Sequence, residues 1–281
     1  MEGIMCDYDR LRQLATEIRI LALEGIHAAK SGHTGGSLSI AEILAVLYGN
    51  QMKVNPVKPL DPDRDRLVLS KGHAAPAYYA ALALKGYFPT ADMKTLRQTG
   101  SHLQGHPSMV KTNGVDMSSG SLGQGLSAAN GMALAGKYDK KEYRVYCICG
   151  DGELQEGQIW EAAMTAAHYK LDNLTLFVDN NGLQIDGYVK NVMNSLPIGE
   201  KFRAFGWNVI AVDGHDAAAI DQAVEQAKCC RGMPTVIVAK TIKGKGVSFM
   251  EDQAGWHGAA PDDEQYRQAV AELKGDKEWH I

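Results

Sequence analysis

In the second half of the chain, short runs that are apolar at nearly every position alternate with longer stretches whose apolar residues recur at three- and four-residue steps. No other feature limits the possible folds as much. RVYCICG, LTLFVDN, WNVIAVDG and PTVIVAKT have the length and side-chain types of strands, whereas QEGQIWEAAMTAAHY and AAAIDQAVEQAKCC have helical periodicity. Strands apolar on both faces must be covered on both, and strands joined through helices run parallel. The reading is an α/β fold, a parallel sheet with helices on both faces.

The first half follows the same scheme less regularly. A helix is predicted from about Asp7 to Lys30, with Tyr8, Leu11, Leu14, Ile18, Leu21 and Ala22 on one face. It is expected to end in SGHTGG, because Gly32, Gly35 and Gly36 do not continue a helix cheaply. A second helix follows from about Ser39 to Tyr48, then a Pro- and Asp-rich connection. A strand over Arg66–Ser70 leads into KGHAAPAYYAALALKG, helical in its second half. From Thr99 to Gly125 the chain is glycine-rich with few apolar runs, and so long a loop in a compact domain is more often functional than idle. A helix resumes at Ser127. No repeat, low-complexity tract or linker interrupts residues 1–281, which read as one domain.

Composition removes several function classes. Lys+Arg 29 against Asp+Glu 33 gives a net charge of −4, so no excess of cations is available to displace counterions from a nucleic acid. MEGIMCDYDR has no apolar core of signal-peptide length and no stretch approaches about 18 apolar residues, so neither secretion nor a membrane is expected. Cys6, Cys147, Cys149, Cys229 and Cys230 are odd in number and lack zinc-site spacing, which points to reduced, packed thiols in a cytoplasmic protein.

Ligands of open parallel sheets bind outside the carboxyl ends of the strands. Three such ends carry polar or glycine-rich clusters: Gly150-Asp151-Gly152-Glu153, Asp179-Asn180-Asn181-Gly182 and Lys243-Gly244-Lys245-Gly246. The first pairs a carboxylate with glycines that let a diphosphate approach the backbone at a helix start, where anions are favoured. The second supplies an amide oxygen and a turn able to present a backbone carbonyl. A carboxylate, an amide oxygen and a carbonyl are hard ligands suited to Mg²⁺ or Ca²⁺, and a bound diphosphate would neutralise the charge left over. Either turn alone is commonplace; GDG at one strand end with NN at the next is far more specific.

That pairing resembles the thiamin diphosphate signature, and GDGELQEGQIWEA resembles transketolase closely. SGHTGG, LSKGHA, GHP, GSLGQG, KTIKGKG and WHG occur in the order of that family. The resemblance covers nearly the whole chain but only the family's amino-terminal, diphosphate-binding (PP) domain. The chain stops near PDDEQYRQAVAELKG, before the pyrimidine-binding and third domains, and so resembles the amino-terminal subunit of a split transketolase. The resemblance implies thiamin diphosphate and Mg²⁺ as cofactors, with Ca²⁺ or Mn²⁺ as substitutes. It assigns the metal to Asp151, Asn181 and the carbonyl of Leu183. Gly150, Gly152, Glu153 and Glu156 fall at the cofactor, Ile185 against the thiazolium ring, and Gly120, Ser121 and Leu122 along its middle. Lys243 and His257 fall near the diphosphate. His33, His73, His106 and His257 match histidines of the substrate channel, where proton transfers to sugar hydroxyls call for groups that titrate near neutral pH. Many members read SGHP where this chain has SGHT, so Thr34 is a departure.

The family takes from its pyrimidine-binding domain a glutamate that helps the cofactor's aminopyrimidine act as a base. No residue here matches it, and Glu156 matches the residue that meets it across the interface. The expectation is therefore a chain inactive alone, paired with a carboxy-terminal subunit, two of each, transferring a two-carbon ketol unit between sugars or sugar phosphates. Pentose-phosphate sugars are the default substrates, with sulfonated or deoxy ketoses as alternatives. One rival reading is a dinucleotide enzyme built on Gly123-x-Gly125-x-x-Ala128, which lacks the preceding strand that motif needs. Others are a deoxyxylulose-phosphate synthase or 2-oxo acid dehydrogenase α-subunit, and a cofactor-binding paralogue without catalysis. His27, His168 and His280 are left to packing or solvent.

Overall fold

The structure, a computed structural model, describes residues 6–275; His280 lies outside the described residues. Helix α1 (Tyr8–Ala29) starts where the Asp7 carboxylate accepts from the Arg10 amide at 3.0 Å, and it ends at Lys30 in the left-handed region. Gly35 and Gly36 do not stop a helix as expected; they lie inside α2 (Thr34–Leu38). Their missing side chains serve contact instead. A Cβ on Gly35 would sit 2.8 Å from Lys243 Cγ, and one on Gly36 would sit 3.4 Å from His73 Nε2. The helix predicted over Ser39–Tyr48 is α3 (Ala41–Val46), continued by a wider turn over Leu47–Gln51.

Strand β1 (Arg66–Leu69) leads through a short turn into α4 (Ala75–Lys85). The irregular stretch expected up to Gly125 ends at Gly123, and α5 (Gln124–Tyr138) follows. Then come β2 (Val145–Gly150), α6 (Gly157–His168) and β3 (Leu174–Asn180). A small hairpin, β4 (Leu183–Gln184) with β5 (Gly187–Tyr188), and the short helices α7 (Val189–Val192) and α8 (Ile198–Ala204) have no counterpart in the sequence reading. The chain continues through β6 (Asn208–Asp213), α9 (Ala217–Cys229), β7 (Thr235–Lys240) and α10 (Asp263–Lys274).

The five long strands form one parallel sheet in the order β1-β2-β3-β7-β6. Alternate side chains feed two cores. Tyr146, Ile148, Phe177 and Ile237 pack with α1, α3, α4 and α9 on one face; Cys147, Cys149, Leu176 and Val178 pack with α5, α6 and α8 on the other. Helices α6 and α8 lead the chain one way across the sheet and α9 leads it back on the opposite face, as right-handed crossovers require. The chain turns back at the edge strand β6, so β7 returns to lie beside β3. The chain leaving β3 passes to α8 on one face and the chain leaving β7 passes to α10, against α1 on the other, which opens a crevice between their carboxyl ends. Cys147 and Cys149 are buried as expected, but Cys229 is exposed, because α9 buries Ile220, Ala223, Val224 and Ala227 on its other side. No described helix is long and apolar enough to cross a membrane.

The first turn of α5 touches the end of β1. A Cβ on Gly125 would lie 2.5 Å from Ser70 Oγ and 2.7 Å from Ser70 Cα, with backbone on one side that cannot yield. Gly125→Ala is expected to lower stability by about 1–3 kcal/mol through overpacking. Urea unfolding measures this, and an unchanged midpoint would contradict the contact.

Candidate functional site

The ends of β2, β3 and β7 converge on a cavity of about 290 Å³. After β2 the backbone makes a single 3-10 turn, Gly152–Gln155, before α6 begins. The anion-favouring helix start expected directly after GDG is thus displaced by one turn. Asp151 is nearly fully buried there, its two oxygens accepting from the amides of Gly152 at 2.8 Å and Gly182 at 2.6 Å. The second bond pins the β2 turn to the β3 turn. Asn181 gives its side-chain NH₂ to Asp179 at 3.0 Å and its oxygen accepts from the Leu183 amide at 3.0 Å. One of its two N–H donors is committed to that carboxylate, which fixes the orientation of the amide and leaves its oxygen a second lone pair. Asp151, Asn181 and Leu183 all line the cavity, and each oxygen keeps a free lone pair. Among the described residues no three His, Cys, Asp or Glu side chains cluster as a metal site, so a cation here would draw on this mixed set.

Asp179 is the electrostatic hub beneath. Fully buried, it accepts from Lys71 Nζ at 2.5 Å, Ser39 Oγ at 2.7 Å, Asn181 Nδ2 and the Thr241 hydroxyl. Burial alone would raise its pKa, but Lys71 and these bonds hold it below the usual carboxylate range. Asp151 has no such cation in contact. Burial and the neighbouring Asp179 charge raise it to about 6 against its backbone bonds. Lys243 is buried too and is lowered to about 8 by that burial and by Lys71. Two buried lysines thus line the cavity, Lys71 paired with Asp179 behind it and Lys243 with no carboxylate in hydrogen-bond contact. That arrangement suits an anion.

Three histidines gather beside the lysines. Ring centroids of His33 and His73 are 5.3 Å apart, His33 and His257 5.5 Å, and His73 and His257 5.0 Å. His106 stands 6.1 Å from His33, towards the outside, and does not line the cavity itself. Lys243 donates to His257 Nδ1 at 2.9 Å; an ammonium can only donate, so this imidazole is neutral with its proton on Nε2. Burial, then Lys243 and His33, lower His257 to about 3. Burial, then Arg97 and His106, lower His33 to about 4, and burial with Lys71 holds His73 well below its ordinary value. His33 Nδ1 is buried with no hydrogen-bond partner. Burial first, and the neighbouring positive charges second, keep these imidazoles neutral through the neutral range, unlike the titrating groups expected.

The other expected residues divide. Gly120, Leu122, Gly150, Gly152, Glu156 and Ile185 line the cavity, Glu156 and Ile185 from exposed positions at its mouth. Ser121 is exposed and outside the lining. Glu153 reaches the wall, but its oxygens are taken up by Ser70 Oγ at 2.5 Å and the amides of Gly123 at 2.8 Å and Gly150 at 3.0 Å, which makes it a brace between β1, β2 and the start of α5. Sequence reasoning passed over Lys71, although LSKGHA was recognised, and over Asp179, quoted only as part of a turn. It also missed His215, which accepts from the Ile242 amide at 2.8 Å and donates to Glu42 at 3.0 Å, steadying the residue before Lys243. A larger groove of about 470 Å³ between α1 and α4 is lined by Leu11, Ile18 and Ala81 together with Arg10, Gln13, Glu17 and Lys85, and involves none of the strand-end residues.

Comparison with known proteins places these features in a family context. Residues 11–280 match the family model described as transketolase, thiamine diphosphate binding domain. The chain is 52% identical over 264 residues to the 6-deoxy-6-sulfo-D-fructose transketolase subunit SqwG of Clostridium sp. (strain MSTE9), covering 94% of this chain and 96% of that protein. It is 42% identical over 251 residues to an apulose-4-phosphate transketolase subunit of Phocaeicola vulgatus, covering 89% of each. The crystal structure of transketolase from Campylobacter jejuni superposes with a TM-score of 0.90 at 37% identity, over 96% of this chain but only 43% of that one.

The depressed histidines set a sign for acid sensitivity. In the folded chain His33 and His257 stay neutral down to about 4 and 3, whereas unfolded histidine takes a proton near 6.5. Between those limits the unfolded state binds more protons, so this stability is present above 6.5 and is lost as the pH falls. Asp151, raised to about 6, works in the opposite sense and is common to both proteins compared. The melting temperature of the wild type should therefore fall more steeply from pH 7 to pH 5 than that of the His33→Asn/His257→Asn double variant. Parallel curves would contradict the assignment.

Proposed function

The chain belongs to the transketolase family as its thiamine diphosphate-binding domain, and from that premise we propose that it is the amino-terminal subunit of a split transketolase. It transfers a two-carbon ketol unit from a ketose to an aldose in company with a carboxy-terminal subunit bearing the pyrimidine-binding and third domains. The observation that carries the reading is the juxtaposition of Asp151, Asn181 and Leu183 with Lys71 and Lys243 at one sheet edge. Oxygens of the first three residues would hold Mg²⁺, with Ca²⁺ or Mn²⁺ as substitutes, and the two ammonium groups would offset a diphosphate. The cofactor, when bound, supplies the electron sink for carbon–carbon cleavage.

The chain's own residues do the rest. His257, held by Lys243 through Nδ1, offers an Nε2–H to a sugar hydroxyl or carbonyl oxygen. His33 and His73, neutral and within 5.3 Å of each other, line the same channel and can accept a proton once anionic charge offsets the lysines. His106 extends that row outward. Gly120, Leu122 and Ile185 are uncharged walls for the cofactor's length, and Gly150 and Gly152 leave room for its phosphates. Glu156 and Ile185 are exposed at the mouth, and Tyr188, Met193 and Leu196, exposed on the segment that follows Ile185, are apolar surface that a partner subunit would cover. We infer two copies of each subunit and a cytoplasmic setting.

For substrate, the likeness to the sulfofructose transketolase subunit is greater than that to the apulose-phosphate one, 52% against 42%. It favours a sulfonated 6-deoxy ketose as donor over ordinary pentose-phosphate sugars. The chain and its co-purified partner should transfer ketol from 6-deoxy-6-sulfofructose, and neither subunit should do so alone. Transfer by the purified chain, or a preference for xylulose 5-phosphate, would overturn the partner or the substrate assignment respectively. A ligand that binds only the folded state raises its stability, by about 2.7 kcal/mol at a hundredfold excess over Kd. Mg²⁺ with thiamin diphosphate should therefore raise the melting temperature, and Asp151→Ala should abolish the rise; an undiminished shift in the variant would misplace the metal.

A further inference from the structure

The loop between β7 and α10 carries His257, and little ties it to the rest of the molecule. Residues 254–260 are held by the Lys243–His257 bond, by the Trp256 indole donating to the Phe249 carbonyl at 3.1 Å, and by the Thr34 hydroxyl donating to the Ala259 carbonyl at 2.7 Å. Among the described residues the last is the one hydrogen bond joining this segment to the amino-terminal elements. Thr34 is fully buried and adjoins His33, whose ring faces that of His257 edge-on at 5.5 Å.

We propose that Thr34 is a positioning residue for His257, its hydroxyl latching the 254–260 loop onto the loop that carries His33. Two neighbouring contacts agree with a designed seam. The Gly244 amide donates to the Gly35 carbonyl at 3.1 Å, and the bare Gly35 Cα lets the Trp256 carbonyl approach, 3.1 Å from where a Cβ would stand. The proposal rests on the reading of His257 as a channel residue, yet the latch itself can be tested without the partner.

The position also allows stiffness and hydrogen bonding to be separated. Thr34 is the first residue of α2, where proline is well tolerated, and His33 (φ −116°, ψ 86°) lies outside the right-handed helical region that a following proline disfavours. Thr34→Pro would keep the helix start and lose the hydroxyl. Thr34→Val keeps the shape and loses the hydroxyl, and Thr34→Ser keeps the hydroxyl.

Hydrogen–deuterium exchange of the purified chain gives the direct reading. Loss of one buried hydrogen bond should speed exchange in residues 254–260 by about tenfold in the Val and Pro variants, with the rest of the chain unchanged and the Ser variant like wild type. In the assembled enzyme, Thr34→Val should raise the donor KM several-fold with kcat little altered, and Ser should restore it. Wild-type exchange in Thr34→Val, a uniform rise over the whole chain, or protection by Pro as good as by Thr would each overturn the latch. Failure of the functional reading would show elsewhere, as a wild-type complex that transfers no ketol.

Discussion

The site depends on two ammonium groups buried at the carboxyl edge of a parallel sheet. Lys71 and Lys243 are each at most 2% exposed. Charges so removed from water are costly unless paired and hydrogen-bonded, and the protein meets that cost unequally. Lys71 has Asp179 and the Gly36 carbonyl, a saturated arrangement that also orients Asn181. Lys243 has only a neutral imidazole in contact, and the carboxylate across the cavity, Asp151, is itself pushed towards its protonated form. The imbalance is local: Asp151 has no cation in hydrogen-bond contact and Lys243 has no carboxylate. The histidines are depressed first by their own burial and then by these positive charges.

Sheet topology explains why these groups meet. The chain turns back at the edge strand β6 and sets β7 beside β3, so the turns after both strands face one crevice, with the β2 turn alongside. The Asp151–Gly182 bond ties the first two turns together, and the Thr241–Asp179 bond ties in the third. Glu153 fixes the wall from the side of Ser70 and Gly123. Rigid strand ends carry the groups for charge, and the histidines ride on the loops above them.

Strands and their parallel order were legible because burial on both faces leaves a run of apolar residues that no other element shares. Asp151 and Asn181 stood out because polar residues directly follow such runs. Lys71 and Asp179 did not, since their partnership spans 108 positions and leaves no local trace. The role of Glu153 was equally hidden, as the donors it accepts from come from three separate segments. Gly35 and Gly36 misled, because glycine marks a helix end or a close approach with the same letter. The hairpin after Asn181 escaped notice because its strands are two residues each and, of its apolar residues, Leu183 is buried while Ile185 and Tyr188 face outward, too short and mixed a pattern to read.

The most direct measurement is crystallographic: the chain crystallised with Mn²⁺ and thiamin diphosphate, with data collected at the manganese edge. The account places one anomalous peak between Asp151, Asn181 and the Leu183 carbonyl, with diphosphate density reaching towards Lys243. A peak elsewhere, or Asp151 and Asn181 still turned only to backbone amides with no density between them, would contradict it.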